Sequence, residues 1–168
     1  MKIIVSALLI FLQLTAKSQG PNSITNAEFK ALVGNWSGTS VNTVSGGTVN
    51  QITLSVALEI IDLKDSLQLN FTYTEPGGKQ STETNYLYVY NNSSKLSFDS
   101  AQFDIAEIRR RGVRLTVYAE REGYENYKSV DFQDILLIGP GILNITKGIR
   151  AADAVDFSIR KRLSLTKK

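Results

Sequence analysis

The sequence predicts an all-β chain folded as an up-and-down antiparallel β-barrel of about 8–10 strands, preceded by one short helix. Two patterns carry this expectation. Beyond Trp36, apolar and polar residues alternate through run after run, the period that sets one face of a strand against a core and the other in water. Tight turns separate successive runs, which implies a meander of sequence neighbours, and closing such a meander removes the edges that a long flat sheet would offer to aggregation. A sandwich needs longer crossovers, and few are visible.

In chain order, Lys2 precedes an apolar run over residues 3–14, followed by small and polar residues with Ala16 and Ser18 at the two recognition positions before a cleavage site. Residues 1–18 therefore read as a secretory signal peptide, Gln19 as the first mature residue, and 19–168 as a single domain of ample length for a core. The apolar run falls short of the roughly 20 residues a spanning helix needs, so no integral membrane segment is expected after cleavage. A secreted or periplasmic location follows.

Thr25 and Glu28 have the spacing of a capping box, which starts a helix, and Phe29, Leu32 and Val33 give that helix one apolar side. Gly34 allows the chain to leave it, and Trp36, the single tryptophan, opens an extended stretch. In residues 50–61 the even positions Ile52, Leu54, Val56, Leu58 and Ile60 are apolar; Leu67, Leu69, Phe71 and Tyr73 repeat the pattern. Glu75-Pro76-Gly77-Gly78 is a turn. Further strands are expected over 82–90, 95–99, 103–109, 113–120, 130–138, 143–147 and 155–165, with turns at 91–94, Gly112, 123–126 and 139–141. Residues 149–153 fit either a strand end or one helical turn.

Absences narrow the chemistry. Without histidine the chain has no Ser-His-Asp or Cys-His machinery and no histidine-bound zinc or haem; without cysteine it has no disulfide, thiolate nucleophile or iron–sulfur cluster. No cofactor and no metal site are expected. Two of the 19 basic residues precede the cleavage site, which leaves the mature chain one charge above its 16 acids. Nothing in that balance points to nucleic acid, and Arg109-Arg110-Arg111 reads as a solvated strand end. The sequons at Asn35, Asn70, Asn91, Asn92 and Asn144 read as compositional accidents.

The pattern Phe29-x-x-Leu32-x-Gly34-x-Trp36-x-Gly38 resembles the opening motif of lipocalins and the wider calycin barrels. That likeness implies that the helix closes the barrel floor beneath the first strand. It also implies a basic residue near the C-terminus stacked on the motif tryptophan, for which Arg160 and Arg162 are available, so Gly34, Trp36 and Arg160 form the expected closure set. The second lipocalin motif, Thr-Asp-Tyr-x-x-Tyr near the closed end, has only its tyrosine spacing here, in Tyr124 and Tyr127. The chain departs from ordinary lipocalins in lacking a disulfide and a long helix before the last strand, and looks more like compact lipocalin-like proteins secreted by bacteria.

A barrel of this size has room for one small molecule. The expected function is non-catalytic binding of a small, mainly hydrophobic or aromatic molecule, with Leu58, Phe71, Tyr73, Tyr86, Tyr88, Val117 and Phe132 as the ligand-binding set. Tyr86, Tyr88 and Tyr90 share one face of a strand; facing inward they make a polar-aromatic wall, facing outward they leave Leu87 and Val89 as the core pair. Two alternatives remain open. One is an envelope interaction module with a filled barrel. The other is a calycin-type isomerase or decarboxylase using carboxylates and tyrosines, for which Glu59, Glu120, Asp131 and Asp134 are the candidate acids.

Overall fold

The structure, a computed structural model, describes residues 23–44, 50–90 and 92–168; the expected signal segment 1–18 lies outside the described residues. A helix, α1 (Asn26–Phe29), runs into a 3₁₀ turn (Lys30–Leu32) and then into β1 (Gly34–Val44). Nine strands follow: β2 (Asn50–Asp62), β3 (Leu67–Thr74), β4 (Gln80–Tyr90), β5 (Lys95–Phe98), β6 (Ala101–Arg111), β7 (Arg114–Glu125), β8 (Lys128–Gly139), β9 (Ile142–Ala151) and β10 (Ser158–Lys167). Each pairs antiparallel with its sequence neighbours, and β10 returns to β1, so the ten strands form a closed up-and-down barrel, compatible with a calycin-like fold. The closing seam runs from Trp36 opposite Lys167 to Asn42 opposite Lys161. Among the described residues no helix is long and apolar enough to cross a membrane.

The helix forms where its cap lies: the Glu28 amide donates to the Thr25 hydroxyl, while the Thr25 amide donates to the Glu28 carboxylate at 2.9 Å. So short a helix owes its place to tertiary contacts. The Val89 amide donates to Asn26 Oδ1 at 2.9 Å, Asn26 Nδ2 donates to the Asp65 carbonyl at 3.0 Å, and Arg110 binds Glu28 at 2.8 Å. These ties fix the helix across one end of the barrel, and Ile24, Phe29 and Leu32 pack inward from it.

Trp36 sits directly above, 2 % exposed, its indole N–H donating to the Leu32 carbonyl at 2.7 Å. The cation on its ring is Lys167, whose Nζ lies 5.5 Å from the ring centroid and donates to the Ala31 carbonyl at 3.1 Å. Arg160, expected in that role, is at the opposite end, paired with Glu125 at 3.1 Å. The reason is register: Lys167 is the residue opposite Trp36, seven positions nearer the C-terminus than Arg160. Gly34 keeps its expected place, with φ +126°, a conformation L side chains rarely adopt, and a Cβ there would stand 3.1 Å from Lys167 Cε.

Several connections are tighter than the turn residues alone imply. Asp99 and Ser100 (φ 53° and 57°) and Asn126 and Tyr127 (φ 50° and 64°) are two-residue turns with both central residues left-handed, which matches the twist of the flanking strands. The second of these carries β7 through Gly123 and Tyr124 to Glu125, past the turn expected at 123–126, and puts Tyr124 and Tyr127 at the open end, both exposed. Residues 149–151 continue β9 in place of a helical turn, and β10 starts only at Ser158, leaving Val155 exposed.

Inward positions in the half of the barrel nearest the helix are apolar and closely packed: Leu58, Ile60, Leu69, Leu87, Leu96, Val117, Leu136, Leu143 and Leu165 are all nearly inaccessible. That half is filled. An inward polar exception is Asn85, opposite Leu69, and the charged inward residues lie toward the open end.

Candidate functional site

The inward face of the open half is charged, and four adjacent strands place the charges. On β7 the inward series Val117, Ala119 continues to Arg121; on β8 it runs Val130, Phe132, Asp134, Leu136; on β9, Leu143, Ile145, Lys147, Ile149. On β10 a bulge between Ile159 and Lys161 shifts the parity, so Arg160 turns toward the cavity and Lys161 joins Leu163 and Leu165 on the inner face. Asp134 is the register partner of Lys147, and Lys147 of Lys161, so an acid and two amines stand abreast on three strands.

A cavity of about 260 Å³ opens among these residues, lined by Ala101, Phe103, Phe132 and Ile149 on its apolar side and by Asp99, Arg121, Asp134 and Lys147 among its charges. Lys147 Nζ donates to Asp99 Oδ2 at 2.7 Å and to Asp134 Oδ2 at 3.0 Å, and sits 4.7 Å from the Phe98 ring centroid. Asp99 reaches it from the left-handed β5–β6 turn. Burial pushes the Asp134 carboxyl, 3 % exposed, above its ordinary range, with Lys147 opposing. Burial also opposes the charge on Lys147, but the two carboxylates outweigh it and hold the ammonium above its usual range; burial likewise opposes the Asp99 charge, and Lys147 holds that carboxyl low.

Arg121 is held differently. Its guanidinium carbon lies 4.0 Å from the Phe132 ring centroid and 5.5 Å from that of Phe103. Gly123 makes room for it, because a Cβ there would come within 2.8 Å of both Arg121 Nη1 and Phe132 Cε2. Its Nε is buried without a hydrogen-bond partner, and among the described residues no carboxylate lies within ion-pairing distance. Beyond the cavity, Tyr73 stacks on Phe71 at 5.7 Å and its hydroxyl accepts from Lys161 Nζ at 2.9 Å. Burial, then the neighbouring Glu83 carboxylate, raise the Tyr73 pKa, so the phenol stays neutral.

Of the seven residues expected to line a ligand site, Phe132 borders the inner cavity. Leu58, Phe71 and Val117 face inward but belong to the packed interior, and Tyr73 stands in the charged row. Tyr86 and Tyr88 require correction: Leu87 and Asn85 are the inward residues of β4, so Tyr86 is 46 % exposed on the outer surface and Tyr88 lies against Tyr90 there. Among the candidate acids only Asp134 turns inward; Glu120 accepts from Gln133 outside and Asp131 pairs with Arg150. A larger recess of about 470 Å³ lies outside the closed end between the helix and the β6–β7 and β8–β9 turns. Its Arg110 and Glu28 are paired with each other, and its other two cations, Arg114 and Lys167, are solvent-exposed, unlike the half-buried Arg121 of the inner cavity.

Lys147 is the hinge of this arrangement, which gives a direct test. Lys147→Met leaves Asp134 buried without its cation, and a loss of about 3 kcal/mol is expected at pH 7, the low end for a broken buried pair because Asp99 is partly solvated. Asp134 then takes up a proton more readily folded than unfolded, so the deficit should shrink as pH falls toward 5. In the wild type the raised ammonium pKa makes its contribution complete below the unfolded lysine value and lost as pH rises through the higher folded one. Denaturant unfolding at pH 5, 7 and 10.5 checks both signs.

No family model matches this chain, and neither does any curated protein.

Proposed function

We propose that this protein is a secreted or periplasmic, non-catalytic binding protein of lipocalin-like kind that holds one small molecule in the open half of its barrel. The ligand has an apolar or aromatic body and an acidic group. The observation that carries this reading is Arg121, a cation between two phenyl rings at the wall of a cavity whose Lys147 and Arg160 are both matched to carboxylates. An arginine so placed has donors to offer a carboxylate in a fixed fork, and the rings around it strengthen that attraction by excluding water. Phe103, Phe132, Ala101 and Ile149 supply the apolar contact. With about 260 Å³, below the usual span for drug-sized ligands, the cavity favours a single-ring or short-chain acid. Kinship with calycins rests on the Gly34-x-Trp36 motif standing at the floor of a closed barrel.

Titration with phenylacetate and benzylamine, followed by NMR, tests the proposal. Phenylacetate should shift resonances of Phe103, Phe132 and Ile149, and benzylamine should bind more weakly. Arg121→Met should weaken phenylacetate about 10–100-fold, the loss of a charge-assisted hydrogen bond, while leaving the fold intact. Equal binding of the acid by wild type and variant would overturn the assignment.

A further inference from the structure

Lys161 occupies an unusual position. The β10 bulge places its side chain on the inner face, directly across from Lys147. Two ammonium groups in register repel each other. Asp99 and Asp134 both bind Lys147, which secures the charge of that partner and leaves Lys161 to yield. Lys161 Nζ meets the Tyr73 hydroxyl at 2.9 Å and lies 4.6 Å from that ring's centroid. Among the described residues no carboxylate comes within ion-pairing distance of it; the Glu83 carboxylate accepts from Asn85 Nδ2 at 2.8 Å. The groups facing Lys161 are therefore Tyr73 from β3, Glu83 from β4, Asp99 from the β5–β6 turn, Asp134 from β8 and Lys147 from β9.

We propose that Lys161 is a nucleophilic amine that captures small aldehydes or ketones as imines in the open half of the barrel. The proposal rests on the reading that this half admits small molecules, and adds to it a covalent step. A lysine is a nucleophile only as the free amine, and desolvation beside a second cation is the environment that provides it at neutral pH. Burial and the Lys147 charge both lower the Lys161 pKa, against the pull of Glu83, Asp99 and Asp134, and the net direction is down.

The step balances without any oxidant or reductant. The Nζ lone pair attacks the carbonyl carbon, forming the C–N bond as the C=O π pair moves to oxygen. The nitrogen then gives up its protons as the carbinolamine oxygen takes two and leaves as water, so amine and carbonyl become imine and water. The Tyr73 hydroxyl, kept neutral by burial, is placed to hydrogen-bond the oxygen on which charge develops.

Incubating the full chain at pH 7 with benzaldehyde and cyanoborohydride, which reduces an imine to a stable benzylamine, tests this directly. Peptide mass mapping then compares Lys161 with the exposed Lys79 and Lys128. Lys161 should be modified faster than either, because a lowered pKa leaves more of it as the free amine at pH 7. Its adduct should vanish in Lys161→Arg and Lys161→Met while those at Lys79 and Lys128 persist. Modification of Lys161 no faster than these two would overturn the proposal. In that event phenylacetate binding separates the causes: retained binding removes only the covalent step, and its absence removes the binding reading as well.

Discussion

Trp36→Ala is expected to destabilise the protein by about 3–5 kcal/mol, the usual loss when a buried aromatic side chain is replaced by a methyl group. For a domain of this size that corresponds to a fall in Tm on the order of 10 °C. The indole fills the space above the helix, donates to the Leu32 carbonyl and supports the Lys167 ammonium, so its removal opens a cavity and strands an acceptor. Trp36→Phe separates the contributions: it retains much of the volume but leaves the Leu32 carbonyl without its donor, with an expected loss of about 1–3 kcal/mol. Denaturant midpoints for the two variants should rank in that order.

Gly38→Ala should be at least as damaging for one methyl group as any other substitution of that size. A Cβ at Gly38 would stand 1.9 Å from the Ser164 carbonyl oxygen and 2.9 Å from its carbon, both main-chain atoms of β10. No rotamer change relieves a clash with backbone, so the β1–β10 seam must open locally, and a loss on the order of 3 kcal/mol is expected. Amide hydrogen exchange locates the damage. Protection should fall first at Ser37, Thr39 and Ser164, on the seam, while the pairing of β7 with β8 across the barrel stays protected. Uniform loss of protection would mean that the seam is not the site of injury.

Much of this barrel was legible before any coordinates. Ile52, Leu54, Val56, Leu58 and Ile60 announce β2 by parity alone, and Pro76, Gly77 and Gly78 mark the β3–β4 turn. The less legible parts depended on left-handed residues that are not glycine. Asp99, Ser100, Asn126 and Tyr127 make two-residue turns whose geometry follows from strand twist, so strand ends fell a few residues away from where composition places them. The bulge at Arg160 is likewise silent in the sequence, yet it turns that residue from the outer face into the cavity and brings Lys161 inward.

The site was written in a form that a search for apolar faces passes over. Arg121, Asp134 and Lys147 each interrupt an apolar series at the position where parity demands an inward residue: after Val117 and Ala119, between Phe132 and Leu136, and between Ile145 and Ile149. A charged residue at an inward position has to be matched or functional, because burying it alone is costly. Tyr86 and Tyr88 illustrate the converse. Their rings share one face of β4, but the neighbouring Leu87 is the better core residue, and the strand has only one inner face.

The two halves of the barrel thus divide the work. The closed half, with Trp36, Leu58, Val117 and the helix, is packed and holds the fold together; the open half contains charges whose burial is tolerated because Lys147 joins two strands and a turn. In the proposed function, the specificity for an acid lies in the cation that this network leaves over.

Native mass spectrometry of the protein purified from its own host addresses that proposal most directly. The account predicts a retained small molecule that is released on denaturation, carries an acidic group, and is missing from Arg121→Met prepared in the same way. A bare polypeptide mass for the wild type, together with failure of phenylacetate and similar acids to bind, would contradict it.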